Sequence, residues 1–234
     1  MSSRQARHVA PPSPLPRPLR IAHRGVPGRR PENTLAGFQL ALDLCAHGLE
    51  LDVHTSADGV VVVHHDAELP DGRPIRTLPA SAICRHEQGE ARVPTLAEVC
   101  TLVGSRAWLF VELKGEAIEQ AVVAVLARHA GPAAVHSFDH PMIGRLAESG
   151  CPWPLGLLFE DDVRDALPAM ARWGATHLWP QHALVDGALV DAVHGRGGWV
   201  IPWTVNQVGD ARSLARLGVD GLCGDDVTRF DALP

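Results

Sequence analysis

Residues 48–66 read GLELDVHTSADGVVVVHHD. Two apolar runs, Leu49–His54 and Val60–His64, flank Asp58-Gly59, a dipeptide that suits the tight turn of a β-hairpin. The first run carries acids where an ordinary buried strand would carry none. Side chains alternate along a strand, so Glu50, Asp52 and His54 share one face and Leu51 points to the other. Carboxylates this close repel one another, and burying them is costly unless a cation lies between them.

The rest of the chain supplies the frame for this hairpin. Strand-like runs recur at Leu19–Ala22, Trp108–Leu113, Ala133–Phe138, Leu155–Phe159, Thr176–Trp179, Trp199–Val205 and Val219–Cys223. Helix-like stretches alternate with them: Thr34–Ala46, Thr95–Val103, Ala117–His129, Met142–Ser149, Val163–Trp173, Ala188–Gly195 and Ala211–Leu217. In the third of these, Ile118, Val122, Val125 and Leu126 recur at helical spacing and give one apolar face. Gly48, Gly104, Gly150, Gly174 and Gly218 stand where helices end and suit left-handed caps. With the hairpin counted as one unit, eight β/α units remain. That alternation predicts an α/β fold, a single (β/α)8 TIM barrel with a short hairpin extension after strand 2. A doubly wound open sheet is the rival, but no glycine-rich phosphate loop follows the first strand.

Composition narrows the function classes. Of 234 residues, 46% are hydrophobic and 21% charged, which excludes disorder throughout. A formal net charge of −6 argues against nucleic acid as partner. No apolar stretch of about 18 residues exists, so no transmembrane segment is expected. Residues 1–18 are proline-rich and are expected to be loosely ordered ahead of a barrel domain at 19–234. They lack the apolar core of a secretory signal. The five cysteines, Cys45, Cys84, Cys100, Cys151 and Cys223, form neither a redox pair nor a zinc knuckle. A reducing, cytoplasmic location is the expectation.

In a parallel barrel the C-terminal ends of all strands open on one face, where barrel enzymes do their chemistry. Those ends read His23-Arg24-Gly25, Glu50 to His54, His64-His65-Asp66, Glu112-Leu113-Lys114, Trp179-Pro180-Gln181, Trp203 to Asn206 and Asp225-Asp226. Glu112 can join Glu50 and Asp52 in one oxygen-rich pocket, which favours a single hard cation, Mg²⁺ or Ca²⁺, over zinc. The competing reading pairs these acids with Arg24 and Lys114. His23 and His65 each end a strand beside that pocket and could supply a general acid and a general base. His54 shares the parity of Glu50 and Asp52 and is either structural, the favoured reading, or a contact to the substrate or the pocket residues, and His64 is expected to serve packing or the surface. A metal with Arg24 and Lys114 converging on it makes a site for a phosphate, so the whole set reads as phosphate-ester hydrolysis.

Together these residues resemble a known family. AHRGVPGRRPENTLAGFQLAL (22–42), GLELDVHTSADGVVVVHHD (48–66), FVELK (110–114), PWTVNQ (202–207) and GVDGLCGDD (218–226) look like a glycerophosphodiester phosphodiesterase, in the right order and over nearly the whole folded chain. The resemblance implies a TIM barrel that uses a divalent cation to cleave glycerophosphodiesters to sn-glycerol 3-phosphate and an alcohol. It implies His23 and His65 as the acid/base pair, Glu50, Asp52 and Glu112 as metal ligands, and phosphate contacts from Arg24 and Lys114. Glu32 is expected to hold Arg24 in place. Asn33 counts with Glu32 as a supporting residue, though Asn33 or Thr34 could equally be the N-cap of the first helix, and for Asn33 the cap is the favoured role. Trp203 stands where the family places an aromatic wall against the glycerol, the alternative being a core tryptophan. After His65-Asp66 the text AELPDGRPIRTLPASAI (67–83) departs from the family, and 67–93 is too short for a large insertion domain. A lysophospholipase D would need an apolar slot, for which Trp153, Trp179 and Phe159 are the candidates. A non-catalytic phosphodiester-binding protein would have lost an acid/base or ligand residue, and none is missing.

Overall fold

In the computed structural model, which describes residues 18–88, 91–231 and 233, the apolar runs form strands β1 (Leu19–His23), β2 (Gly48–Thr55) and β3 (Val61–Val63), the two-residue strands β4 (Glu87–Gln88) and β5 (Ala91–Arg92), then β6 (Trp108–Leu113), β7 (Ala133–Ser137), β8 (Leu155–Phe159), β9 (His177–Pro180), β10 (Trp199–Val200) and β11 (Gly221–Gly224). The helices between them are α1 (Leu35–Asp43), α2 (Ala80–Ile83), α3 (Leu96–Val103), α4 (Glu119–Leu126), α5 (His140–Glu148), α6 (Ala166–Trp173), α7 (Gly187–His194) and α8 (Val208–Leu217). Residues 1–17 of the expected proline-rich lead-in lie outside the described residues.

Eight strands run parallel in the order β10-β9-β8-β7-β6-β2-β1-β11, and β3 lies antiparallel on β2 with Val53 opposite Val63. The result is a nearly closed barrel. Between β10 and β11 no regular ladder forms. Three backbone hydrogen bonds close the gap: Asp220 N–H to Val200 O at 2.9 Å, Cys223 N–H to Pro202 O at 3.0 Å and Val205 N–H to Cys223 O at 2.8 Å. The sequence reading extended this strand to Val205. The regular strand stops at Val200, although Ile201 and Trp203 still donate to Leu178 and Pro180 of β9, and Pro202 has no N–H to give on the side of β11.

Alternation along the strands divides the apolar residues into two layers. Leu49, Leu51, Val53, Leu109 and Val111 face outward and pack with Phe38, Val99, Val122 and Ile143 of the surrounding helices. The other parity fills the barrel with Ile21, Phe110, Ala134, Trp179, Ile201 and Cys223. His23, Glu50, Glu112 and His136 share this inward parity but stand toward the mouth. The extension after β3 has its own small core of Val62, Leu69, Ile75, Ala80, Ile83 and Val93, so it folds as a flap of the barrel and not as an insertion domain.

Two local expectations are corrected. Gly48 is no helix cap: α1 ends at Asp43, Cys45 takes the positive φ of 57°, and Gly48 opens β2. A Cβ at Gly48 would come within 2.7 Å of the Phe110 ring, which explains the small residue there. Asn33 does not cap α1. The Thr34 hydroxyl takes that role, accepting from Gly37 N–H at 3.1 Å. α3 starts with a full capping box, Thr95 with Glu98.

Candidate active site

The site begins with the turn after β1. Arg24 has φ 53° and Gly25 φ 90°, and a Cβ on Gly25 would lie 2.9 Å from the backbone of Gly37 in α1. Only glycine permits this close approach of the loop to the helix. The turn directs the Arg24 backbone N–H to the Glu50 carboxylate at 3.2 Å. Its guanidinium reaches Asp52 Oδ2 from Nε at 3.1 Å and Glu32 Oε1 from Nη1 at 3.3 Å.

Asp52 is fully buried and held from three sides. Besides Arg24, its Oδ2 accepts from Asn33 Nδ2 at 2.9 Å, and its Oδ1 lies 3.4 Å from Lys114 Nζ. Lys114 Nζ also donates to Glu112 Oε1 at 3.2 Å. Asn33 reaches Asp52 because it adopts the left-handed conformation, φ 55°, which asparagine tolerates better than most residues. The residue assigned to a cap is therefore a buried clamp on a site carboxylate.

Glu50, Glu112 and His136 offer one ligand atom each, and these atoms lie within 4.8 Å of one another. His136 was not among the expected site residues. It sits on β7 in register with Glu112 on β6, stacks on Trp179 with ring centroids 4.1 Å apart, and brings Nε2 to 3.8 Å from Glu50 Oε1. Gly156 makes room for this stack, since a Cβ there would meet Trp179 at 2.8 Å and His136 at 3.0 Å. The inward parity of His136 is legible in Ala133–Phe138. Its place beside the acids requires the register between two strands far apart in sequence.

The electrostatics describe a cluster short of positive charge. Burial and the neighbouring acids push the Glu50 carboxyl well above its ordinary range, and burial together with Asp52 pushes Glu112 up to about 7. Burial pushes His136 down to about 3, leaving a neutral imidazole with a lone pair to give. Burial alone would raise Asp52, but Arg24, Lys114 and Asn33 hold it below the usual carboxylate range. The same acids raise Arg24 and Lys114 against the opposing effect of burial. Asp52 Oδ1 is buried without a hydrogen-bond donor. Two carboxyls driven toward protonation, a neutral imidazole and an underserved carboxylate oxygen form a donor set that fits a divalent cation.

The two expected acid/base histidines face the same cavity of about 340 Å³, with Arg24, Lys114, Glu50 and Glu112 in its wall. Each imidazole is anchored through Nδ1: His23 to Asp225 Oδ1 at 2.7 Å, His65 to Asp66 Oδ1 at 2.8 Å. A carboxylate on Nδ1 fixes that nitrogen as the donor and leaves Nε2 without that partner. Asp225 is itself braced, its Oδ2 accepting from Asn206 Nδ2 at 2.6 Å. This Asn206–Asp225–His23 chain was not anticipated, although Asp225 stood among the strand-end acids. His54 Nε2 donates to the backbone carbonyl of His65 at 3.1 Å. His64 is buried and turns away to the Asp66 carbonyl. Trp203 lines the cavity, pinned by a hydrogen bond from Nε1 to the Trp179 carbonyl at 3.0 Å. Of the aromatics considered for an acyl slot, Trp153 and Phe159 pack against the outer layer and Trp179 is buried in the barrel. Among the described residues no helix is long and apolar enough to cross a membrane.

Comparison with known proteins agrees with this geometry. The family model "Glycerophosphoryl diester phosphodiesterase family" matches residues 23–229. A glycerophosphodiester phosphodiesterase of Caldanaerobacter subterraneus subsp. tengcongensis is 29% identical over 228 residues, covering 89% of this chain and 94% of the relative. Among solved structures, an Oleispira antarctica phosphodiesterase in complex with the product sn-glycerol-3-phosphate superposes with a TM-score of 0.82 at 26% identity, covering 91% of this chain and 96% of the other. A glycerophosphodiester phosphodiesterase from Thermotoga maritima gives 0.79 at 26% identity, with coverage of 91% and 96%. Barrel, motifs and mouth residues agree: the chain belongs to the glycerophosphoryl diester phosphodiesterase family of enzymes.

Proposed function

We propose that the protein hydrolyses glycerophosphodiesters to sn-glycerol 3-phosphate and an alcohol, with a divalent cation, Mg²⁺ or Ca²⁺, and with His23 and His65 as the acid/base pair. The observation that carries this reading is the shared cavity, where two Nδ1-anchored imidazoles stand with Arg24 and Lys114 around the acidic cluster. Glu50, Asp52 and Glu112 are assigned to hold the cation, with His136 beside Glu50 and Glu112 as a further donor. Once bound, the cation supplies charge neutralisation at a non-bridging phosphate oxygen.

Arg24 and Lys114 take up the remaining negative charge as the phosphorus becomes five-coordinate. Both are fixed in place by carboxylates before substrate arrives, so little reorganisation accompanies the step. One histidine Nε2 accepts the proton of the nucleophile, either water directly or the glycerol 2-hydroxyl to give a cyclic phosphate that water then opens to sn-glycerol 3-phosphate, and the other donates to the departing alkoxide. Asp225 and Asp66 orient the two rings through Nδ1, so that Nε2 of each is left to take up or give the proton. Trp203 offers a flat apolar wall to the glycerol carbons. The unbridged cysteines are consistent with work in the cytoplasm.

The acid/base assignment is tested by His23→Ala and His65→Ala. Each should lower turnover by about 10² to 10⁴, while calorimetric titration with Mg²⁺ or Ca²⁺ stays near wild type. Near-wild-type turnover in either variant overturns the assignment.

A further inference from the structure

His23 and His65 are supported unequally. His23 ends β1 within the sheet, and its Asp225 anchor is braced in turn by Asn206. His65 lies past the end of β3 at Val63, and the side chain of its Asp66 anchor is 75% exposed. An ion pair open to water holds a side chain only weakly. The chain is tied to β2 at His64, whose N–H donates to Asp52 O at 3.0 Å. Beyond that point two further imidazoles take over. His54 on β2 donates from Nε2 to the His65 carbonyl at 3.1 Å, and His64 donates from Nδ1 to the Asp66 carbonyl at 3.0 Å.

A carbonyl only accepts, so each of these ring nitrogens carries a proton. Both rings are buried, each 6% exposed, and neither lines the cavity at the mouth. They grip two successive carbonyls from below, where a hydrogen bond is stronger than in water. β2 also carries Glu50 and Asp52, and its Val53 carbonyl accepts from Lys114 N–H at 3.2 Å. One strand therefore sets the acidic cluster, the start of the Lys114 loop and the backbone of His65. Resting on the acid/base reading of His65 above, we propose that His54 and His64 are positioning residues, a pair of buried imidazoles that clamp the His65 backbone and so hold its ring at the cavity. Without either donor the turn after β3 is free to shift, and a misplacement of about 1 Å at a reacting group costs roughly 100-fold in rate.

The test pairs donor-free with donor-retaining variants of the full chain. His54→Leu and His64→Leu remove the donors, whereas His54→Gln and His64→Asn keep an N–H where the bonded ring nitrogen stood. With glycerophosphocholine and saturating Mg²⁺ or Ca²⁺, each leucine variant should lower kcat by about 10- to 100-fold and leave KM within about threefold. Each amide variant should return kcat to within about threefold of wild type. In a His65→Ala background the leucine substitutions should change the residual kcat by less than about twofold, since no imidazole is left to place. Equal losses in both backgrounds, or no recovery by the amides, overturn the clamp. Should a leucine variant fail to fold, histidine-ring nitrogen NMR of the wild type decides. His54 protonated at Nε2 and His64 at Nδ1 are expected, and the opposite tautomer at either ring overturns the clamp. Wild-type turnover in His65→Ala would instead contradict the acid/base reading, and the tautomers would then still decide whether the backbone is held this way.

Discussion

Asn33 and Thr34 are adjacent and both could cap a helix, yet they do different work. Thr34 satisfies an orphan N–H of α1, and Asn33 turns back to bind buried Asp52. Thr34→Ala should cost about 1 kcal/mol of stability, as lost caps do, with activity intact. Asn33→Ala leaves a buried carboxylate short of a donor and should cost about 1–3 kcal/mol and lower cation affinity as well. Urea unfolding combined with cation titration separates the two. Equal effects on cation affinity would contradict the clamp. The sequence offered no way to choose between these neighbours, because the choice depends on a left-handed φ at Asn33 and on a partner nineteen positions away.

The elements themselves were largely legible, because hydrophobic period is a local signal. The hairpin, the inward parity of Glu50 and Asp52, and the β/α alternation all follow from it. What depends on neighbouring strands was not legible. His136 enters the site through its register with Glu112, and Asp225 reaches His23 because β11 pairs with β1. Gly48 was assigned to a cap from its position after a helical stretch, but its reason is the Phe110 ring inside the barrel. Gly48→Ala should accordingly destabilise the barrel by about 1–3 kcal/mol through overpacking, read as a lower urea midpoint at unchanged m-value. A neutral or stabilising result would show that Phe110 can yield.

Across the whole molecule, the mouth stores unfavourable charge in the absence of a cation. Glu112 keeps its proton to about pH 7 in the folded protein, whereas the unfolded chain releases it near its ordinary value of 4.5. Between those limits the folded state binds more protons, so this contribution is fully present below about pH 4.5 and is lost as pH rises through about 7. His136 works in the opposite sense. Its pKa of about 3 when folded, against 6.5 when unfolded, makes its contribution rise with pH across that range. The two oppose one another near pH 5–6, so a variant must isolate the first. In EDTA, the stability of wild type relative to Glu112→Gln should decline from pH 4.5 to 7.5, and excess Mg²⁺ or Ca²⁺ should reverse that decline by binding the ionised carboxylates. Parallel pH profiles for the two proteins would contradict the coupling.

The barrel thus places an acidic pocket, the basic side chains of Arg24 and Lys114 and two braced histidines at one mouth, and the central claim is that they act together on a diester. The most direct measurement is release of sn-glycerol 3-phosphate from glycerophosphodiesters with Mg²⁺ or Ca²⁺, run in parallel with EDTA. The mechanism predicts release with a cation and none in EDTA. Release undiminished by EDTA, or none with either cation, would contradict it.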